Sequence, residues 1–401
     1  MNAGTPAAAA VCRWAIAGCG WVARDHFLPG LLAAARGRSG AAAPRLVAVT
    51  DTDPAAAARL AARAPGVRVA PGLAALLAEH RPDAVYVATP NHAHRPVAEA
   101  AAAAGAAVLC EKPLAAGLAD AERLVAACER AGVLAATAYD QRFHPAHRAV
   151  RDVVASGGLG AVTAVRITYC CWLPPVWSPD GGPCDNWRAD PARAGGGALL
   201  DLAPHGLDLV GVLLGGDDVT HLAALAQHRV HPYPVDDGAV LAGRTGGGVL
   251  VGLHVAYNTP DALPRRRLEV VGTRGLLTAT DTLGQDAGGA VWLTRADTGR
   301  RVPVPFDTGT SPFTGQVRGF SAAVAAARSG AAPERAWPWP LRRDLALHRL
   351  LLEAAAGGGA APAGSAQPPD AGRTPFAAGE GPTAGDGFTT GGGFTVKEGR
   401  R

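Results

Sequence analysis

The 401-residue chain is long enough for two domains with ample cores, and its formal net charge of only +4, on scattered arginines, excludes a nucleic-acid footprint and a polybasic membrane patch. The N-terminus lacks the charged start and apolar run of a signal peptide, and no apolar run is long enough to span a bilayer, so a cytoplasmic protein is expected. Seven cysteines, at positions 12, 19, 110, 128, 170, 171 and 184, show no paired metal-ligand spacing, which leaves reduced thiols and no metal as the expectation.

Residues 1–10 are expected to be disordered. Residues 11–17 form an apolar run of strand length that meets Gly18-Cys19-Gly20-Trp21-Val22-Ala23, followed by an amphipathic stretch to residue 32. Strand, glycine turn and helix together are the context of a dinucleotide fingerprint. Gly18 permits the tight turn, Gly20 lets the backbone approach a pyrophosphate, and Ala23 stands where a third glycine would allow close helix–sheet packing. The helix that opens at Trp21 and Val22 offers unpaired amides to the phosphates.

A second strand, 46–50, ends on Asp51, an acid placed to bind the adenosine ribose hydroxyls and repel a 2′-phosphate. NAD is therefore the expected cofactor. NADP is not excluded, because residues 35–44 read as an inserted loop that shifts the usual spacing. Asp53-Pro54 reads as the cap and first position of the next helix, 55–64.

The alternation continues with strands at 67–70, 84–88, 106–109 and 133–138 and helices at 73–79, 96–104 and 118–131, which predicts a doubly wound parallel sheet over residues 11–138. Thr89 and the stretch Cys110-Glu111-Lys112-Pro113 fall just past carboxyl ends of strands, the edge where such sheets bind ligands. Among 38 lysines and arginines only Lys112 and Lys397 are lysines. A compact ammonium kept beside an acid at that edge points to a task that a guanidinium cannot perform.

Thr89-Pro90-Asn91 with His94, Cys110 to Pro113, Gln141-Arg142-Phe143 with Pro145, and Gly195-Gly196-Gly197 leading to Asp201, His205 and Asp208 follow the glycine turn in order. With these motifs, residues 11–355 resemble the glucose–fructose oxidoreductase, inositol dehydrogenase and rhizopine-catabolism family (Gfo/Idh/MocA). The resemblance implies a Rossmann domain and then, over 139–356, an α/β domain on an open, largely antiparallel sheet that mediates a homodimer or homotetramer. It also implies an NAD(P)-dependent dehydrogenase or reductase acting on a small-molecule sugar, sugar nucleotide or cyclitol. Cofactor contacts then fall to Gly18, Gly20, Trp21, Val22, Asp51, Thr89, Pro90, Asn91, His94, Glu111, Lys112, Gln141 and Arg142, and weaker substrate contacts to Trp187 and Arg188.

In the second half a helix is expected over 145–156 and a long strand over 162–171. Asp201 and His205, four residues apart, share one face of a helix beginning near Leu200, with Pro204 expected inside its first turn. Oxidising an alcohol needs a base for the hydroxyl proton, and histidine titrates near neutrality. His205 is thus the expected base, Lys112 the group that polarises the reacting oxygen, and Asp201 the group that orients substrate or imidazole. Strands are expected at 239–242, 248–256, 267–272, 275–280 and 291–294, and helices at 313–328 and 341–356, the last with a packing face of Leu345, Leu347, Leu350, Leu351 and Leu352. His228, His231, Tyr233 and Tyr257 are open to a pocket reading, with solvated loop residues the safer one, and 357–401 reads as a disordered tail. Alternatives on the same fold are a redox-neutral enzyme that uses bound NAD to hydrolyse or epimerise a sugar, and a cofactor-binding sensor without chemistry.

Overall fold

The computed structural model describes residues 11–36, 43–179 and 185–358. The expected disordered N-terminus, most of the 35–44 loop, Cys184 and nearly all of the tail with Lys397 lie outside the described residues. The first sheet holds β1 (Cys12–Ala17), β2 (Pro44–Thr50), β3 (Arg68–Val69), β4 (Ala84–Val87), β5 (Ala107–Cys110) and β6 (Ala135–Thr137), ordered β3-β2-β1-β4-β5-β6. All its pairings are parallel. Its central strands are near-continuous apolar runs because helices cover both faces. A widened helical turn, Val22–Phe27, leads into α1 (Leu28–Ala35), which shares one face with α2 (Pro54–Ala61). The other face carries α3 (Leu73–His80), α4 (His94–Ala103) and α5 (Leu118–Ala131). Asp53 caps α2, accepting from the Ala55 amide at 2.9 Å, with Pro54 at the first helical position.

The chain then forms α6 (Pro145–Ala155), β7 (Val162–Cys170), the short α7 (Pro191–Ala194) and α8 (Ala198–Leu213). An eight-stranded sheet follows, adding β8 (Val219–Gln227), β9 (Gly238–Thr245), β10 (Leu250–Ala256), β11 (Arg266–Gly272), β12 (Gly275–Thr280), β13 (Ala290–Arg295) and β14 (Arg301–Pro303). The order is β14-β13-β12-β11-β7-β10-β9-β8, antiparallel throughout except for β7 beside β10. β8 and β14 were not anticipated: Val-Thr-His-Leu-Ala-Ala-Leu-Ala-Gln has no clean apolar–polar alternation. α8 lies against the inner face of this sheet, and almost every residue of it is buried. Its start at Ala198 places Pro204 in the second turn rather than the first, so the Leu200 carbonyl receives no amide from that position.

α9 (Pro312–Arg328), α10 (Pro333–Ala336) and α11 (Leu341–Gly357) complete the described chain. α9 packs not on the second sheet but on the first. Phe313, Val317 and Phe320 join the core of Trp14, Phe27 and Leu31, and Trp14 Nε1 donates to Ser321 Oγ at 2.9 Å. Gly30 makes the approach possible, since a Cβ there would stand 2.7 Å from the Phe313 Cβ. α11 buries Leu341, Asp344, Leu347, His348, Leu351 and Ala354, while Leu345, Leu350 and Leu352 of the expected face are only partly covered.

The polar member of that face explains the difference. Arg142 is fully buried on the turn after β6 and donates to Asp208 of α8 at 2.8 and 2.9 Å and to Asp344 of α11 at 2.6 Å. Arg343 adds a second cation, reaching Asp208 at 2.5 Å and Asp218 at 2.6 Å. Burial alone would raise the Asp208 carboxyl, but Arg142 and Arg343 hold it below the usual carboxylate range. The rings of Tyr139 and Trp339 flank the Arg142 guanidinium at 4.8 and 5.0 Å. Removing one partner of such a cluster leaves buried charge uncompensated. An Arg142→Met variant is expected to lose about 3–5 kcal/mol of stability, read as a lower urea midpoint at unchanged slope. An unchanged midpoint would show that the cluster does not hold the fold.

Candidate active site

The parallel sheet presents its carboxyl edge to one side, and the first feature there is the turn after β1. Gly18 has φ +94°, and a Cβ on it would lie 2.5 Å from the Ala88 carbonyl and 2.6 Å from the Thr89 amide nitrogen. Only glycine lets the two loops pass this closely. The Gly18 amide bonds the Thr50 carbonyl at 2.9 Å, and the Cys19 amide bonds Asp51 Oδ2 at 2.6 Å. Asp51 Oδ1 accepts from the Asp53 amide at 2.8 Å, so the acid also fastens the turn to the end of β2. Gly20 differs from Gly18: no atom lies within 4 Å of where its Cβ would stand. That open side, at the start of the helical segment of Trp21 and Val22, is the room a pyrophosphate needs.

The loop after β4 closes the second side. Thr89 Oγ1 is buried without a hydrogen-bond partner. Pro90 leads into a short turn on which Asn91 donates to the Ala194 carbonyl at 2.8 Å. An orphaned hydroxyl beside an open glycine turn fits a dinucleotide at this edge. His94, Gln141 and Arg142 are all buried. His94 is fully buried, with its ring nitrogens 3.0 and 2.9 Å from the Pro113 and Thr89 carbonyls, and burial drives its pKa down to about 4. Gln141 is also fully buried, its amide nitrogen bonding Asp140 at 2.8 Å and the Gly284 carbonyl at 2.6 Å. With Arg142 engaged in its carboxylate cluster, all three are buried and bonded to protein groups in the loops beneath the cleft.

Lys112 lies past β5 on a cis Lys112–Pro113 bond. Its Nζ donates to Asp201 Oδ1 at 2.5 Å and to the Asp201 carbonyl at 3.1 Å, joining the edge of the first sheet to α8. The backbone permits this through two glycines. A Cβ on Gly195 would fall 2.0 Å from the Ala116 carbonyl oxygen, and one on Gly197 1.9 Å from the Asp236 carbonyl oxygen. Asp236 then caps α8, accepting from the Gly197 and Leu199 amides at 2.8 and 2.7 Å. Tyr257, for which a solvated loop was the safer reading and the pocket the alternative, is buried and donates to Asp201 Oδ2 at 2.8 Å. Burial alone would raise the Asp201 carboxyl, but Lys112 and Arg188 outweigh it and keep the group ionised. Arg188 reaches this site from the turn of Trp187, its guanidinium 4.6 Å from the Trp187 ring. Glu111 accepts from the Tyr86 hydroxyl at 2.5 Å and the Lys112 amide at 3.1 Å, and burial raises its pKa.

His205 is one turn beyond Asp201, flanked by the rings of Tyr169 and Tyr139, and neither ring nitrogen has a hydrogen-bond partner. Burial, then the charge of Lys112, lowers its pKa to about 3. The near-neutral titration expected of this residue is therefore absent, and the imidazole is neutral across the physiological range. Sequence reasoning missed Asp140, which stands 3.4 Å from His205 Nδ1 and which burial, then the charge of Glu111, brings up to about 7. It lies one residue from a motif quoted for the family, but a lone acid on a short turn between Tyr139 and Gln141 gives no periodic signal.

Residues 12–139 match the family described as an oxidoreductase family with an NAD-binding Rossmann fold, and residues 147–278 match the GFO/IDH/MocA C-terminal domain. The chain is 34% identical to a 1,5-anhydro-D-fructose reductase of Ensifer adhaerens over 283 residues, covering 70% of this chain and 79% of that protein. It is 32% identical over 342 residues to a dTDP-3,4-didehydro-2,6-dideoxy-alpha-D-glucose 3-reductase of Streptomyces violaceoruber, covering 84% and 92%. Among solved structures, a 3-ketoreductase of Actinomadura kijaniata in complex with NADP and TDP-benzene superposes with a TM-score of 0.70 at 26% identity, covering 86% of this chain and 98% of that one.

Proposed function

The chain belongs to the GFO/IDH/MocA family of NAD(P)-dependent oxidoreductases, and from that premise we propose that it interconverts a carbinol and a carbonyl on a sugar or sugar nucleotide. A nicotinamide held at the carboxyl edge of the first sheet would supply the hydride donor or acceptor. The observation that carries the reading is the Lys112–Asp201 pair, which brings the cofactor edge of one sheet within 2.5 Å of the helix bearing His205.

Two of the three ammonium protons of Lys112 go to Asp201, which leaves the third for the reacting oxygen. Held there, it lowers the cost of negative charge on that oxygen. Asp201, ionised and fixed by Lys112 and Tyr257, keeps the ammonium in place and offers acceptor capacity to a neighbouring sugar hydroxyl. His205 takes the hydroxyl proton from substrate in oxidation and returns it in reduction; an imidazolium disfavoured by burial is a strong acid toward a nascent alkoxide. Gly18, Gly20, Trp21, Val22, Thr89 and Pro90 line the cofactor's place, with Asn91 and Glu111 setting the loops around it. Trp187 and Arg188 border the substrate side. Asp51 favours NAD over NADP, because a 2′-phosphate beside a carboxylate is repelled.

The Lys112→Arg variant is expected to bind cofactor but lose at least tenfold in kcat, and His205→Ala to lose about 10²–10⁴-fold with cofactor affinity unchanged. Near-normal turnover in either would remove that residue from the mechanism. A panel of aldoses, anhydro-sugars, sugar nucleotides and cyclitols, followed by nicotinamide absorbance with NAD and NADP separately, tests substrate class and cofactor together. Tighter binding of NADP than of NAD would overturn the role of Asp51, and turnover of none of the panel would overturn the substrate class.

The free thiols of Cys12, Cys19, Cys110, Cys128 and Cys170 support a cytoplasmic location, and among the described residues no helix is long and apolar enough to cross a membrane. The outer face of the second sheet supports a homo-oligomer. Leu225 pairs with Val240 across β8 and β9, and the two are 70% and 55% exposed. Val240→Glu is expected to lower the mass measured by light scattering to that of the monomer. An unchanged oligomer would place the interface elsewhere.

A further inference from the structure

The base assigned above has an unexplained surrounding. Both nitrogens of His205 are buried and lack a hydrogen-bond partner, a costly state for a group required to move a proton. On the Nδ1 side stands Asp140, whose Oδ1 is 3.4 Å away, with both side chains 3% exposed or less. The contact is long and does not form a hydrogen bond, and such contacts commonly tighten when a site fills. The carboxylate is itself held in place. Its Oδ2 accepts from Gln141 Nε2 at 2.8 Å, and that amide is anchored on the Gly284 carbonyl at 2.6 Å.

We propose that Asp140 is the positioning residue for His205: it accepts the Nδ1 proton, fixes the tautomer and turns a bare Nε2 toward the substrate oxygen. This rests on His205 as the proton acceptor of the reaction. The arrangement divides the work between the two halves of the chain, with the base on α8 and its orienting acid on the loop after β6. Asp201, one turn before His205 on α8, is occupied by Lys112 and Tyr257 and does not supply this bond.

The charged and titratable groups facing the pair are Glu111 and Lys112 beyond β5, Tyr86 of β4, Tyr169 of β7, Tyr139 beside Asp140, and Asp201 and Asp208 of α8. Lys112 opposes protonation of both members, whereas Glu111 favours protonation of Asp140. Asp140 loses its proton as pH rises through about 7, while His205, held to about 3, stays neutral over that range. Above neutrality a carboxylate faces Nδ1 and the Nδ1-protonated tautomer is favoured. Below it, the carboxylic acid can donate to Nδ1 and invert the ring's polarity. Oxidation should therefore rise with pH through about 7.

The direct test is ¹⁵N NMR of histidine-labelled enzyme saturated with NAD, with the His205 signal assigned from a His205→Gln control. The expected result is a neutral ring protonated on Nδ1 at pH 8, whose shift moves with a midpoint near 7 that is missing in Asp140→Asn. A ring protonated on Nε2, or a midpoint retained in Asp140→Asn, would overturn the proposal. In turnover with a sugar from the panel, Asp140→Asn is expected to cut kcat for oxidation by about 10²-fold, within the usual reach of general-base catalysis. KM should change little and the neutral pH limb should disappear. If His205→Ala abolishes turnover but Asp140→Asn keeps wild-type kcat and pH profile, this inference fails alone. If His205→Ala retains turnover, the assignment beneath it fails.

Discussion

A guanidinium with no exposure to solvent is tolerable only where carboxylates meet it from fixed directions, and Arg142 meets that condition through three separate elements. Asp208 comes from α8, Asp344 from α11, and the arginine itself from the loop that leaves the first sheet. α8 therefore cannot rotate or slide without pulling a carboxylate off a buried cation, a loss that nothing nearby can offset. Asp208 lies one turn beyond His205 and two turns beyond Asp201. The helix that carries the proposed chemistry is thus held on the same side that it presents to the cleft. Arg343 and Asp218 extend the cluster, so fixation does not depend on a single pair.

The cleft shows what such fixation allows. Two buried acids and one half-buried acid stand near one another in the cleft, and their environments separate them. Asp201 stays ionised because Lys112 and Arg188 face it, whereas Glu111 and Asp140 are pushed up by burial with less cationic support. His205 is pushed in the opposite sense, because burial and the neighbouring ammonium both disfavour its charged form. One lysine thus lowers the pKa of an acid and of a base together.

Much of this was legible in the residues alone. The glycine turn, the strand–helix alternation and the motifs around Lys112, Asp201 and His205 are local patterns. Strand ends and helical faces follow from periods of 2 and 3.6 with little tertiary input. What escaped was non-local. Gln141, Arg142 and His94 stand as ligand contacts on the family resemblance, yet Gln141 and Arg142 bond partners far along the chain, and His94 bridges the Thr89 and Pro113 carbonyls. Tyr257 reads as a loop residue until β10 delivers it to Asp201. α11 was read by its leucines, whereas its buried face includes Asp344 and His348 because Arg142 waits opposite. Hydrophobic patterning cannot register a polar residue buried for the sake of another one two hundred positions away.

α9 carries a different consequence. Its residues come after the entire second sheet in the chain, yet they complete the core around Trp14 and Phe27. The first half is therefore not a module that can be cut out at the end of β6, because doing so would strip an aromatic face of its cover. Exchange of parts between relatives is bound by the same geometry. A new second sheet can be grafted only as an internal insertion, between a Rossmann core and the late helix that belongs to it. In recombination terms, the chain is a host domain with a guest threaded through it, and the inheritable unit is discontinuous.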